Sequence, residues 1–329
     1  MATVETLNGP LDAAELGKTL IHEHFVTRDE AVFDQWPHVA PVAPNPDNPE
    51  PGDFLSPAID CAKAVMEHGV KTLCEPTAMF IGRDVKFSKQ VADETGLQVI
   101  ACTGIYTYEY LPPFFAARDP DMIAELFVHD ITEGIQGTDI KAAFLKCAAD
   151  EPGITENVEK VHRAVARAAV QTGTPIMAHS RPASQTGPKQ VDIFEEEGVD
   201  LSSVQIANTG DTDDVDYIER LLDRGVYIGL DRFGLDIFLP MEKRLPTATA
   251  LLEKGYAERM FLSQDYCATL DWYPPAVGRQ MLDAGLARGW SMTLIFEEVI
   301  PALREAGMTD DQLEMMLVSN PRAWLTGER

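Results

Sequence analysis

The run Thr19-Leu20-Ile21-His22-Glu23-His24-Phe25 begins apolar and β-branched and ends on two imidazoles two residues apart. It reads as a β-strand over Thr19–His24. Successive side chains on a strand point to opposite faces, so His22 and His24 share one face and Glu23 points away. Two imidazoles so placed can reach one metal ion. Two ordinary strand-end histidines are the plainer alternative, and the rest of the chain decides between them.

Short apolar runs of the same kind recur at Lys71–Glu75, Gln98–Gly104, Ile140–Lys146, Pro175–His179, Val204–Asn208, Val226–Leu230 and Met260–Asp265. Segments of helical periodicity separate them. Pro57–His68, Arg83–Thr95 and Asn157–Thr172 stop at Gly69, Gly96 and Gly173, the expected left-handed caps. Asp213–Asp223 and Pro246–Glu253 follow the same plan. This alternation, with no long linker, predicts an α/β fold: one (β/α)8 TIM barrel spanning residues 1–329 as a single domain. An open doubly wound sheet is the alternative; it usually carries a glycine-rich turn after its first strand, and GxGxxG is absent here.

Two stretches read as long loops on the functional face. Trp36–Pro57 holds seven prolines, and Tyr266–Gly289 holds Trp272, Tyr273, Pro274 and Pro275. Long loops after barrel strands are where specificity sits, so the second in particular is expected to enclose substrate.

The chain has 329 residues and a formal net charge of −26. So acidic a surface repels phosphate backbones and anionic lipid, which argues against nucleic-acid and membrane-surface partners. No apolar run of about 20 residues is present, nor a basic start with an apolar core that would read as a signal peptide. Five scattered cysteines without a CxxC read as reduced, mostly buried thiols, and the chain is expected in the cytoplasm.

Ligand-capable residues close the proposed strands. His22 and His24 end the first, Lys146 the fourth, His179 the fifth, Asn208 the sixth and Asp265 the eighth. Taken singly, such a histidine is an ordinary rim residue, such a lysine reaches for solvent, and such an aspartate caps the next helix. Their convergence on one barrel mouth predicts a metal site, with imidazole and carboxylate together suiting zinc, cobalt, iron or manganese. An ammonium cannot ligate a cation. Lys146 would have to be a neutral amine or be carboxylated on Nζ, giving a carbamate able to bridge two metals about 3.5–4 Å apart.

With these residues in place, the sequence resembles the phosphotriesterase family of the amidohydrolase superfamily, and within it the phosphotriesterase-like lactonases. The motifs that carry the likeness are Gly17-Lys18-Thr19-Leu20-Ile21-His22-Glu23-His24, the Lys146 strand, Pro175-Ile176-Met177-Ala178-His179 and Gly229-Leu230-Asp231-Arg232-Phe233-Gly234. Leu262-Ser263-Gln264-Asp265 and Asn320-Pro321-Arg322 complete the set, in order, over nearly the whole chain.

The resemblance implies a hydrolase with two divalent metal ions, zinc first among the candidates. One metal would be held by His22, His24 and Asp265, the other by His179 and the strand-six residue, with N6-carboxylated Lys146 and a hydroxide between them. It also implies that Tyr106 and Arg232 line the substrate site and that Asp265 moves the proton. The expected substrate is a small-molecule lactone, an N-acyl-homoserine lactone (quorum quenching) above all, its acyl chain against Trp272 and Tyr273. A phosphotriester is the alternative substrate, and a lactone-binding relative without turnover the alternative class. A homodimer is expected.

Two positions depart from the family pattern. Asn208 stands where a second histidine is usual, and Gln264 precedes Asp265 where a histidine is common. A carboxamide oxygen is a weaker donor than imidazole. Asn208 is therefore open to being a tolerated variant, a mark of lost catalysis or an engineered change.

Overall fold

The computed structural model describes residues 2–36, 53–106, 109–287 and 289–328. Most of the proline-rich stretch Trp36–Pro57, residues 37–52, lies outside the described residues. A hairpin of β1 (Thr3–Thr6) and β2 (Gly9–Asp12) precedes the barrel. The further strands are β3 (Lys18–Leu20), β4 (Glu23–Thr27), β5 (Val70–Glu75), β6 (Gln98–Gly104), β7 (Phe144–Ala148) and β8 (Ile176–His179). β9 (Val204–Ala207), β10 (Tyr227–Leu230), β11 (Met260–Leu262) and β12 (Tyr266–Leu270) complete them. β3 and β5 to β11 form one parallel eight-stranded sheet in chain order. β12 pairs in parallel with β4, Tyr266 opposite Glu23 and Cys267 opposite His24, and so closes the sheet into a (β/α)8 barrel.

Period-2 alternation sorts the strand residues between two cores. Leu73, Val99, Leu145, Ala178, Ile206, Ile228 and Leu262 belong to the large cluster shared with the helices. Their neighbours Cys74, Ile100, Phe144, Met177, Ala207, Tyr227 and Phe261 form a second cluster inside the barrel. Trp324, from the C-terminal helix Asn320–Thr326, plugs that interior, its ring 5.6 Å from Phe144 and 6.1 Å from Phe261. Emptying so large a buried site costs about 3–5 kcal/mol.

Helix ends follow their local chemistry. In Glu156–Thr172, Thr155 Oγ1 accepts from Val158 N at the start and Gly173 takes φ 73° at the end. The same helix buries Val158, Val161, Val165 and Ala169 along one face.

The first and eighth strands differ from the continuous runs expected at Thr19–His24 and Met260–Asp265. Both break at the same level, β3 giving way to β4 after Leu20 and β11 to β12 after Leu262. Asp265 there adopts φ 50°. Side chains take over the missing ladder bonds. Ser263 Oγ accepts from Ile21 N and His22 N at 3.0 and 3.1 Å. The Glu23 carboxylate accepts from Gln264 N, Gln264 Nε2 and Tyr266 N at 2.8, 3.0 and 3.0 Å. Apolar residues on both sides of each break hide it from a pattern-based reading.

Other boundaries move for identifiable reasons. The expected strand Ile140–Lys146 starts only at Phe144, because Ile140 O and Ala142 N bond back to Ile135 N and Asp130 O. Pro246 lies inside a helix, Met241–Glu253, and does not start it. Buried Arg244 anchors the earlier turn through Leu239 O at 2.7 Å and Gly210 O at 2.7 Å. The stretch Tyr266–Gly289, read as a loop, contains β12 and the helix Pro275–Asp283. A helix at Pro120–Thr132, capped by Asp119, fills the span before β7 that the sequence reading left empty. The five cysteines are free and four of them buried, as expected. Among the described residues no helix is long and apolar enough to cross a membrane.

Candidate metal centre at the barrel mouth

The register that fills the barrel with Phe144, Met177 and Phe261 places Lys146, His179 and Asp265 two or four residues further along, toward the mouth. His22 and His24 meet them there despite the break in their strand. His22 Nε2 and His24 Nε2 lie 3.2 and 3.1 Å from the same atom, Asp265 Oδ1. One ligand atom from each of these three buried residues falls within 4.8 Å of the others, a cluster able to hold one cation.

The outer nitrogens are pinned as metal-ligating histidines require. His22 Nδ1 donates to Asp231 Oδ2 at 2.8 Å, which leaves Nε2 with its lone pair toward Asp265. His24 Nδ1 donates to Thr77 Oγ1 at 2.7 Å, and Thr77 Oγ1 donates in turn to Glu75 Oε1. Asp231 can fold back toward His22 only beside a glycine, since a Cβ on Gly229 would sit 2.3 Å from Asp231 Oδ2.

Burial pushes His22 down to about 4, against the pull of Asp265, and so favours the neutral imidazole a metal needs. Burial acts likewise on His179, lowering it. For His24 burial is outweighed by its bonds to Asp265 and Glu75, which raise it. Asp265 is held well below the usual carboxylate range: burial opposes this, but His22, Arg232 and His24 prevail.

Asp265 Oδ2 has its own partners, Arg232 Nε at 2.8 Å and Asn208 Nδ2 at 2.9 Å. Arg232 is itself held by Asp211 Oδ2 at 2.9 Å. Lys146 is 1% exposed, and its Nζ lies 3.2 Å from His22 Nε2 and 3.1 Å from Met177 Sδ. No carboxylate among the described residues pairs with it, and burial lowers its pKa. A buried amine without a counter-ion is costly as an ammonium. That environment fits a neutral amine able to take up carbon dioxide.

His179 joins a second arm of the site. Its Nε2 lies 3.5 Å from Asp150 Oδ2, which also receives Tyr106 OH at 3.4 Å. The Tyr106 ring stands 5.1 Å from His179 and 6.4 Å from Trp272. Trp272 and Tyr273 stay 41% and 42% exposed at the rim. The structure thus gathers His22, His24, Asp265, Lys146, Asn208 and Arg232 in one hydrogen-bonded group, while His179 and Tyr106 meet on Asp150 and Trp272 joins them only through its ring contact with Tyr106. Asp150, Glu75, Thr77 and the supporting role of Asp231 were missed by the sequence reading. Only for Asp150, four residues beyond Lys146, was a signal available, a carboxylate just past a strand-end ligand.

The cluster of two imidazoles and a carboxylate at the mouth of a parallel barrel is a ligand set of the kind that metal-dependent hydrolases use. The Phosphotriesterase family model matches residues 2–325, and the chain belongs to that family. It is 45% identical over 316 residues to an aryldialkylphosphatase of Saccharolobus solfataricus, covering 96% of this chain and 97% of that one. It is 40% identical over 332 residues to the phosphotriesterase homology protein of Mycobacterium tuberculosis, covering 98% of this chain and 97% of that one. Among solved structures, the phosphotriesterase from Mycobacterium tuberculosis superposes with a TM-score of 0.90 at 38% identity, covering 98% of each chain. A mutant of a Deinococcus radiodurans PTE-like lactonase gives 0.87 at 31%, covering 98% of this chain and 100% of that one.

Proposed function

We propose that this chain, acting as one barrel domain over residues 1–329, hydrolyses lactones at a centre of two divalent metals, N-acyl-homoserine lactones being its foremost substrates. The observation that carries the reading is the meeting of His22 Nε2 and His24 Nε2 on Asp265 Oδ1, with the buried Lys146 amine 3.2 Å from His22 Nε2 and without a carboxylate partner among the described residues. His22, His24 and Asp265 would hold one metal, zinc by preference; His179, Asn208 and an Nζ-carboxylated Lys146 would hold the other. Bound there, two such ions lower the pKa of an intervening water and polarise a carbonyl.

The protein's own groups do the rest. Asp265 takes the proton of the attacking water and passes it to the alkoxide released when the ring C–O bond breaks. Arg232 fixes Asp265 through Oδ2 and leaves Oδ1 to the histidines. Tyr106, on Asp150 and against His179, positions the lactone carbonyl. Trp272 and Tyr273 offer exposed aromatic surface to an acyl chain. The name of the Saccharolobus relative keeps a phosphotriester as the second reading.

Side-by-side kcat/KM values for a long-chain acyl-homoserine lactone and an aryl dialkyl phosphotriester test the order. A larger value for the lactone supports the proposal, and a larger value for the phosphotriester overturns it. The free thiols support a reducing, cytoplasmic setting. A two-fold homodimer is the proposed assembly, and a solution mass of one chain would refute it.

A further inference from the structure

Asn208 is fully buried and follows β9 in the left-handed region, at φ 61°. Its backbone N donates to Asp231 Oδ1 at 2.8 Å. Two carboxylates decide which way its amide faces. Asp265 Oδ2 lies 2.9 Å and Asp231 Oδ1 3.5 Å from Nδ2. Turning the amide over would set two acceptor oxygens 2.9 Å apart, so Nδ2 must face the carboxylates. Asn208 Oδ1 therefore points away from them. It is sealed from solvent and has no hydrogen-bond partner among the described residues. Buried acceptors in folded proteins are normally satisfied, and an orphan at a metal centre points to an ion.

We infer that Asn208 Oδ1 is a metal ligand and that it turns the second position of the centre toward oxygen-preferring divalent ions such as Mn2+. The inference rests on the two-metal reading above. The first position offers two imidazole nitrogens and one carboxylate, a set that suits zinc. The second offers one imidazole from His179, the carboxamide oxygen of Asn208 and, with Lys146 carboxylated, a carbamate oxygen. Carbonyl and carboxylate oxygens suit manganese and magnesium, whereas a second imidazole would favour zinc. Zinc still outranks manganese at most sites in absolute affinity, so the effect is a narrowed preference. The 3-10 turn Thr209–Asp211 that Asn208 caps, with Asp211 N on Asn208 O at 3.1 Å, fixes its backbone, and the carboxylate grip on Nδ2 fixes which way its amide faces.

The test uses metal-free full-length protein in bicarbonate, loaded with one equivalent of Zn2+ and then titrated with Mn2+ or with further Zn2+. Bound metal is counted by mass spectrometry, and protein-bound Mn2+ is followed by electron paramagnetic resonance. The native chain is expected to keep its first zinc and add one manganese. Its zinc-over-manganese preference at the second position should be about tenfold or more below that of Asn208→His, and Asn208→Ala should lose the manganese while retaining the zinc. Equal preferences in the native chain and Asn208→His, or equal manganese uptake in the native chain and Asn208→Ala, would overturn the inference and leave the two-metal reading standing. No second ion of either kind in the native chain and Asn208→His alike would bring down both.

Discussion

Glu23 was expected only to point away from the metal, yet it is fully buried and accepts three N–H groups where the eighth strand is interrupted. Replacing it with glutamine keeps the shape and removes one acceptor oxygen. Gln264 N and Nε2 both use Oε1, and Tyr266 N uses Oε2. Ser263 is a further hydrogen-bond partner of the same carboxylate. In Glu23→Gln an NH2 faces at least one of these donors, most directly Tyr266 N. One or two buried donors then lose their acceptor, at about 1–3 kcal/mol each. The expected destabilisation is about 3 kcal/mol, a fall in Tm of roughly 4 °C for a chain of this size. Calorimetry in chelator isolates the structural effect. Repeating it with Zn2+ should widen the gap, because Asp265 lies between Gln264 and Tyr266 and its φ of 50° depends on both anchors. A Glu23→Gln protein melting within about 1 °C of the native chain in chelator would refute the view that this carboxylate replaces the lost ladder.

Asp231→Asn should weaken zinc binding at the His22 position by about 10–100-fold, read by competition with a chromophoric chelator, and unchanged affinity would show that the 2.8 Å bond to His22 Nδ1 does not orient the ring. His162 is a core histidine, bonded to Val158 O and Gln190 Nε2, that burial pushes from 6.5 down to about 4. The unfolded chain binds a proton there before the folded chain does, so the stability this neutral ring contributes is complete above about pH 6.5 and lost as pH falls toward 4, a change on the order of 3 kcal/mol. Urea unfolding at pH 7 and 4.5 should therefore show a steeper drop in the native chain than in His162→Gln, and equal drops would contradict the assignment. Trp272→Ala, which removes about 2 kcal/mol of apolar contact, should lower kcat/KM roughly 10–30-fold for long-chain acyl lactones and little for short ones. A uniform loss across chain lengths would place Trp272 outside the acyl path.

Much of this was legible in the chain itself. Alternating apolar runs and glycine-ended helices specify a parallel barrel, since period-2 and period-3.6 burial are local properties. His22, His24, Lys146, His179 and Asp265 stand at strand ends that can be read without coordinates. The breaks after Leu20 and Leu262 were not, because they are maintained by Ser263 and Glu23 reaching across about 240 residues of sequence, a separation no local pattern records. The same holds for Asp231 behind His22 and for the Thr77–Glu75 pair behind His24. Asn208 shows the division most clearly. That an asparagine stands at this strand end is a fact of sequence; that its nitrogen is taken by Asp265, and its oxygen left without a partner among the described residues, depends on the curved parallel sheet, which carries the ends of strands six and eight, one strand apart, to the same mouth.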